Sequence, residues 1–205
     1  MLFPRQESLC TRRSRVNEAI HLALAATASV TAFNTEAQIP CPVTTPLDIV
    51  DEQFNAVTCN NYSALSVLAP GGSLTNQYMA TLNNYSGATL TNNQELNNFW
   101  HINNRSGGTV TNTGSLYQSI NSGLSNQGAL INSGTVNSNG NIQSYGLSAT
   151  VVNQTTGIIN NAGTLSNNND STFDNYGQIN STGELMNVGP LHNHSSGIIT
   201  SQDGL

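Results

Sequence analysis

The sequence predicts an all-β fold, a parallel β-helix (β-solenoid) with about three short strands per coil and roughly six coils. Three observations predict it. The phrase Gly-x-aliphatic-x-Asn recurs from Gly72 to the C-terminus. Its aliphatic anchor returns every six residues, sometimes every eight or nine. The chain is 205 residues long with only 8% charged residues and no lysine, against about a quarter in ordinary domains.

Gly108-Thr-Val110-Thr-Asn112, Gly128-Ala-Leu130-Ile-Asn132, Gly163-Thr-Leu165-Ser-Asn167 and Gly183-Glu-Leu185-Met-Asn187 are clear copies of the phrase. Nineteen anchors run from Leu74 to Ile199. Asn follows two residues later at fourteen of them, and Gln118, Ser138, Ser144, Ser181 and Ser201 fill the other five. Alternate side chains share one face of a strand, so Gly, anchor and Asn point the same way. Six residues are too few for a strand, a hairpin turn and a return strand. They suit one short strand and a bend, repeated, which buries its anchors by stacking coil on coil. Gly and Asn are poor helix formers and no 3.6-residue stripe appears, so a helix is excluded.

Three anchors per coil place coil starts at Leu82, Ile102, Leu124, Ile142, Leu165 and Leu185. Two-sided coils of twelve to sixteen residues are the alternative, and spacing does not set handedness. Stacking brings each Asn above the next, where one amide donates to its neighbour and accepts from the other side, as in amide ladders of stacked strands. The outward Thr residues, such as Thr91, Thr109 and Thr111, show no constant register along the sequence.

The solenoid domain is expected over residues 72–205. Residues 1–37 carry the three-part layout of a secretory signal: four arginines by Arg15, an apolar stretch from Ala19, and Thr35-Glu36-Ala37 before a cut. Its apolar run is too short and too polar to span a bilayer. Residues 38–71, rich in Pro, are expected as an N-terminal cap or a linker. Export leaves Cys41 and Cys59 as an even pair in an oxidising compartment, which points to a structural disulfide.

The Gly-x-[Leu/Ile/Val]-x-Asn phrase resembles the passenger repeats of bacterial autotransporter adhesins and filamentous-haemagglutinin-like exoproteins, over about two thirds of the chain. The resemblance implies a secreted or outer-surface right-handed β-helix acting as adhesin or stalk. Two departures stand out. The chain is short, and it lacks a C-terminal run of alternating apolar strands that would build an outer-membrane barrel.

The net charge of −6 argues against nucleic acid and against an anionic membrane. Asp170 and Asp174, the closest acids in the repeats, sit four apart beside an Asn run and read as a solvated loop, so no catalytic residue is expected. His192 and His194 share a strand face but are too few for a metal site, and no metal or cofactor is expected. Tyr85, Phe99 and Trp100 are the candidate ligand contacts, since exposed rings stack on sugars. The expected partners are a host-surface or matrix glycan or protein, or a second copy stacked end to end. Self-assembly into an extracellular matrix or amyloid-like fibre is the alternative function. A polysaccharide-binding or polysaccharide-cleaving β-helix ranks below both.

Overall fold

The structure, a computed structural model, describes residues 37–168 and 170–202. The expected signal, apart from Ala37, lies outside the described residues.

The chain winds through three parallel sheets, taken in turn by successive short strands. Sheet 1 holds Ser73–Asn76, Glu95–Asn98, Ser115–Gln118, Thr135–Ser138, Ile158–Asn161 and Gln178–Ser181; sheet 2 begins its regular run at Thr81–Asn84 and sheet 3 at Thr89–Asn92. The register is constant from coil to coil: Leu82 pairs with Ile102 and Ile102 with Leu124, and Asn84 aligns with Asn104 and Asn126. All-parallel pairing, with each strand matched one coil away, is the three-sided β-solenoid expected from the repeat.

About eight turns are present rather than six. The extra coils lie before Leu74, in the segment expected as cap or linker. Glu52–Asn55, Thr58–Asn61 and Ala64–Val67 pair in register with the strands that follow. Periodicity alone missed them because Gln53 and Cys59 stand at anchor positions opposite Leu74 and Leu82. The Cys41–Cys59 disulfide joins successive coils, with Cα atoms 5.2 Å apart, and Cys59 is fully buried.

The four-residue strands from Ser73–Asn76 onward share one logic. The second residue is the apolar anchor and the fourth is an amide or hydroxyl, and both point inward and are buried through most of the stack. Each buried Leu, Ile or Val contributes roughly 1.5–3 kcal/mol. The inner amides form ladders along the stack. In sheet 3, Asn92 donates to Asn112, Asn112 to Asn132, Asn132 to Asn153, Asn153 to Asn175 and Asn175 to Asn193, at 2.7–2.8 Å. The donor always faces the C-terminal coil. Shorter ladders on the outer face run the other way, as in Asn103 to Asn83 to Asn60 and Asn180 to Asn160 to Asn137.

Strands are joined by corners of two or four residues, with a few of three or five, and this absorbs the uneven coil lengths. A few outward Thr residues align in pairs, Thr89 with Thr109, Thr91 with Thr111 and Thr150 with Thr172, but Ala129 and Ile131 follow Thr109 and Thr111 one coil on, so no continuous Thr face forms. In the two-residue corners glycine allows the close stack. A Cβ on Gly134 would sit 2.1 Å from the Gly114 carbonyl oxygen.

Candidate functional site

The corner between sheets 1 and 2 departs from the repeat. Three coils there have tight corners closed by glycine: Asn139-Gly140, Ala162-Gly163 and Thr182-Gly183. Two others have four-residue corners, Gln77-Tyr78-Met79-Ala80 and Ser119-Ile120-Asn121-Ser122. Each is a turn in which the fourth N–H donates to the first carbonyl, Ala80 to Gln77 at 3.0 Å and Ser122 to Ser119 at 3.2 Å. The third residue of each turn, Met79 and Asn121, is left-handed with φ 66°. The corresponding corners between sheets 2 and 3 give that position to Gly87 and Gly107.

The two raised corners belong to alternate coils, so they stand roughly 10 Å apart along the stack. Between them lies the tight corner Phe99-Trp100, with Trp100 at the rank held elsewhere by Gly140, Gly163 and Gly183. The result is a notch with an aromatic floor and two apolar walls. Tyr78 and Met79 are 68% and 72% exposed on one wall, and Ile120 is 72% exposed on the other. The rings hold one another. Tyr78 meets Trp100 in a T-shaped contact at 4.8 Å, Phe99 meets Tyr117 at 6.1 Å, and Trp100 tilts against His101 at 4.6 Å.

Beside Ile120 lies a groove of about 410 Å³. His101, Asn121, Ser125, Asn139 and Asn141 line it, and Gly123, paired with His101 in the ladder, leaves its floor open. No acidic or basic side chain other than His101 lines the groove.

Of the ligand contacts expected from the sequence, Phe99 and Trp100 share this corner. Tyr85 does not: it follows Asn84 on the corner between sheets 2 and 3 and stacks on Tyr62 with ring centroids 4.7 Å apart. The reason is positional, since fourteen residues carry the chain from Tyr85 past sheet 3 and back to sheet 1 before Phe99. Tyr78, Met79, Ile120 and Asn121 were missed. Their signal was the anchor spacing, which widens from six to eight between Leu74 and Leu82 and again between Leu116 and Leu124. Widening at that corner marks a projecting loop.

A second cluster lies on the outer face of sheet 3. His192 Nδ1 and His194 Nε2 both meet one oxygen of Asp174, at 3.1 and 2.9 Å. The Tyr176 ring stacks on His194 at 3.8 Å, nearly parallel. The hydrogen bond from His194 does most to hold the Asp174 carboxyl below its ordinary value, His192 adds to it, and partial burial opposes both. Sequence distance hid this contact, because the acid sits one coil before the histidines. Among the described residues, no group of three or more His, Cys, Asp or Glu side chains is arranged to hold a metal ion.

Comparison with protein-family models, with curated proteins and with solved structures yields no match to this chain.

Proposed function

We propose that this protein is an exported, surface-exposed β-solenoid that works as an adhesive module or stalk and carries out no catalysis. The observation that carries the reading is the grouping of exposed aromatic and apolar side chains, Tyr78, Met79, Phe99 and Ile120, on one corner of a regularly stacked scaffold. Clustered exposed apolar side chains rimmed by polar ones mark interaction sites. Here they are mounted on corners of a stack whose every coil is tied to the next by strand pairing, so the patch is preorganised.

Other features support the reading. The Cys41–Cys59 disulfide suits an oxidising compartment. The Gly-x-aliphatic-x-Asn phrase resembles that of secreted passenger repeats.

Two measurements test it. Antibody against the solenoid should label unpermeabilised cells, and the mature N-terminus should read Gln38-Ile39-Pro40. Beads coated with the purified protein should adhere to host-cell or matrix surfaces, and adhesion should fall with Tyr78→Ala. Protein confined to the cytoplasm, or beads that adhere to no surface, would sink the proposal.

A further inference from the structure

We infer that the corner between sheets 1 and 2 binds a neutral oligosaccharide, laid along the stack from the Tyr78 ring to the groove beside Ile120. The inference rests on the adhesive reading above and names the chemistry of its ligand.

Pyranose rings present patches of C–H groups that lie against aromatic faces, and their hydroxyls need donors and acceptors beside those faces. The corner supplies both in sequence. Tyr78 and Phe99 are exposed rings, and each is steadied by a second ring, Trp100 and Tyr117 respectively. Little rotamer freedom is then lost on binding. Beyond Trp100 and His101 the surface changes from aromatic to amide and hydroxyl, with Asn121, Asn139, Asn141 and Ser125 around the open floor at Gly123. The groove volume of about 410 Å³ lies within the ordinary range of roughly 300–1,000 Å³ for small-ligand sites.

Charge selects the class of sugar. Sialylated and sulfated glycans carry anions that call for Arg or Lys. Arg105 is the sole such residue among those described, and it follows Asn104 on the other corner, where it reaches Asn83 at 3.4 Å. The groove therefore suits an uncharged chain.

The backbone gives an independent pointer. Met79 holds a left-handed conformation that costs a non-glycine residue roughly 1–2 kcal/mol, and its side chain is left in water. Packing does not account for a large apolar side chain there, whereas contact with a ligand does.

The test is an array of neutral oligosaccharides of two to six hexose or N-acetylhexosamine units, with sialylated and sulfated chains printed beside them. The purified protein should bind one or more neutral chains. Tyr78→Ala and Ile120→Ser, both at exposed positions that leave the stack intact, should each weaken that binding at least tenfold, and Tyr85→Ala should not. Circular dichroism and melting of the variants confirm that they fold. Binding confined to charged glycans, binding that survives both corner variants, or no glycan binding at all would overturn the inference. Bead adhesion separates this failure from that of the adhesive reading. Adhesion that persists after the target surface is stripped of glycans by periodate overturns the sugar inference alone and points to a protein partner. Adhesion to no surface overturns both.

Discussion

Asn161 Oδ1 is buried one coil beyond Ser138 and accepts no hydrogen bond, because the Ser138 hydroxyl donates to the Gly140 carbonyl instead, at 3.3 Å. The sheet 1 ladder is intact up to that point: Asn98 donates to Gln118, and Gln118 to Ser138. A serine has one proton to give and a short reach, so the ladder stops. Ser138→Asn should restore it, accepting from Gln118 and donating to Asn161. The same rank already holds Asn76, Asn98 and Asn161, so an amide fits. Urea denaturation should show a gain of about 1 kcal/mol, the net value of one buried hydrogen bond. No gain would mean that the Asn161 carbonyl is satisfied another way.

Sheet 2 carries the same break and repairs it. Asn126 donates to Ser144 Oγ, and the next amide, Asn167, receives its hydrogen bond from Ser171 Oγ at 2.6 Å. Ser171→Ala should therefore orphan a buried acceptor and cost about 1–3 kcal/mol. Ser144→Asn should return most of that loss by donating to Asn167 from the preceding coil. A double-mutant cycle measures the coupling, and additive effects would refute the shared acceptor.

These breaks show what was legible in the sequence. The substitution of Ser for Asn at positions 138 and 144 is plain from the repeat, and so are the anchors and the parallel stacking they require. Partners one coil away are not plain, because variable corners decide which residues meet. Ser171 lies off the anchor–amide phrase, and nothing local marks it as the donor to Asn167. Asp174 likewise meets His192 and His194 only through the winding. The first coils were hidden for a different reason. Gln53 and Cys59 interrupt the anchor pattern, yet the backbone pairs in register through them.

Acid should loosen the outer face of sheet 3. The Asp174 carboxyl is held below its ordinary value of 3.8 by His194 and His192. A carboxyl depressed in the folded state contributes stability above its unfolded pKa, and that contribution is lost as pH falls through the folded value. Loss therefore begins near pH 4 and deepens below it. Denaturation midpoints taken at pH 6 and pH 3 should differ less in Asp174→Asn than in the parent protein. An equal difference would show that the two histidine contacts carry no such linkage.

Glycines of the stack should divide by what faces them on the preceding coil. A Cβ on Gly163 would fall 2.0 Å from the Gly140 carbonyl oxygen, a backbone atom fixed by the stack. A Cβ on Gly123 would meet only the His101 side chain, at 3.1 Å. Gly163→Ala should cost at least about 2 kcal/mol by forcing two coils apart. Gly123→Ala should cost well under 1 kcal/mol, since the imidazole can turn aside. Thermal melting of the pair measures this, and similar melting temperatures would refute a backbone cause.

Met79 should respond to glycine in opposite directions by two readouts. Its φ of 66° is strained for methionine and free for glycine, and its exposed side chain contributes little packing. Relief of that strain outweighs the extra freedom glycine gives the unfolded chain, so Met79→Gly should leave stability unchanged or raise it by up to about 1 kcal/mol. The same change removes one wall of the aromatic notch, and adhesion of coated beads should fall. A residue kept for stability would behave in the opposite way, with glycine lowering the denaturation midpoint and leaving adhesion intact. Measuring both quantities on one variant therefore separates a ligand-facing Met79 from a structural one. The Gly87 and Gly107 corners build the same left-handed turn with glycine at that position.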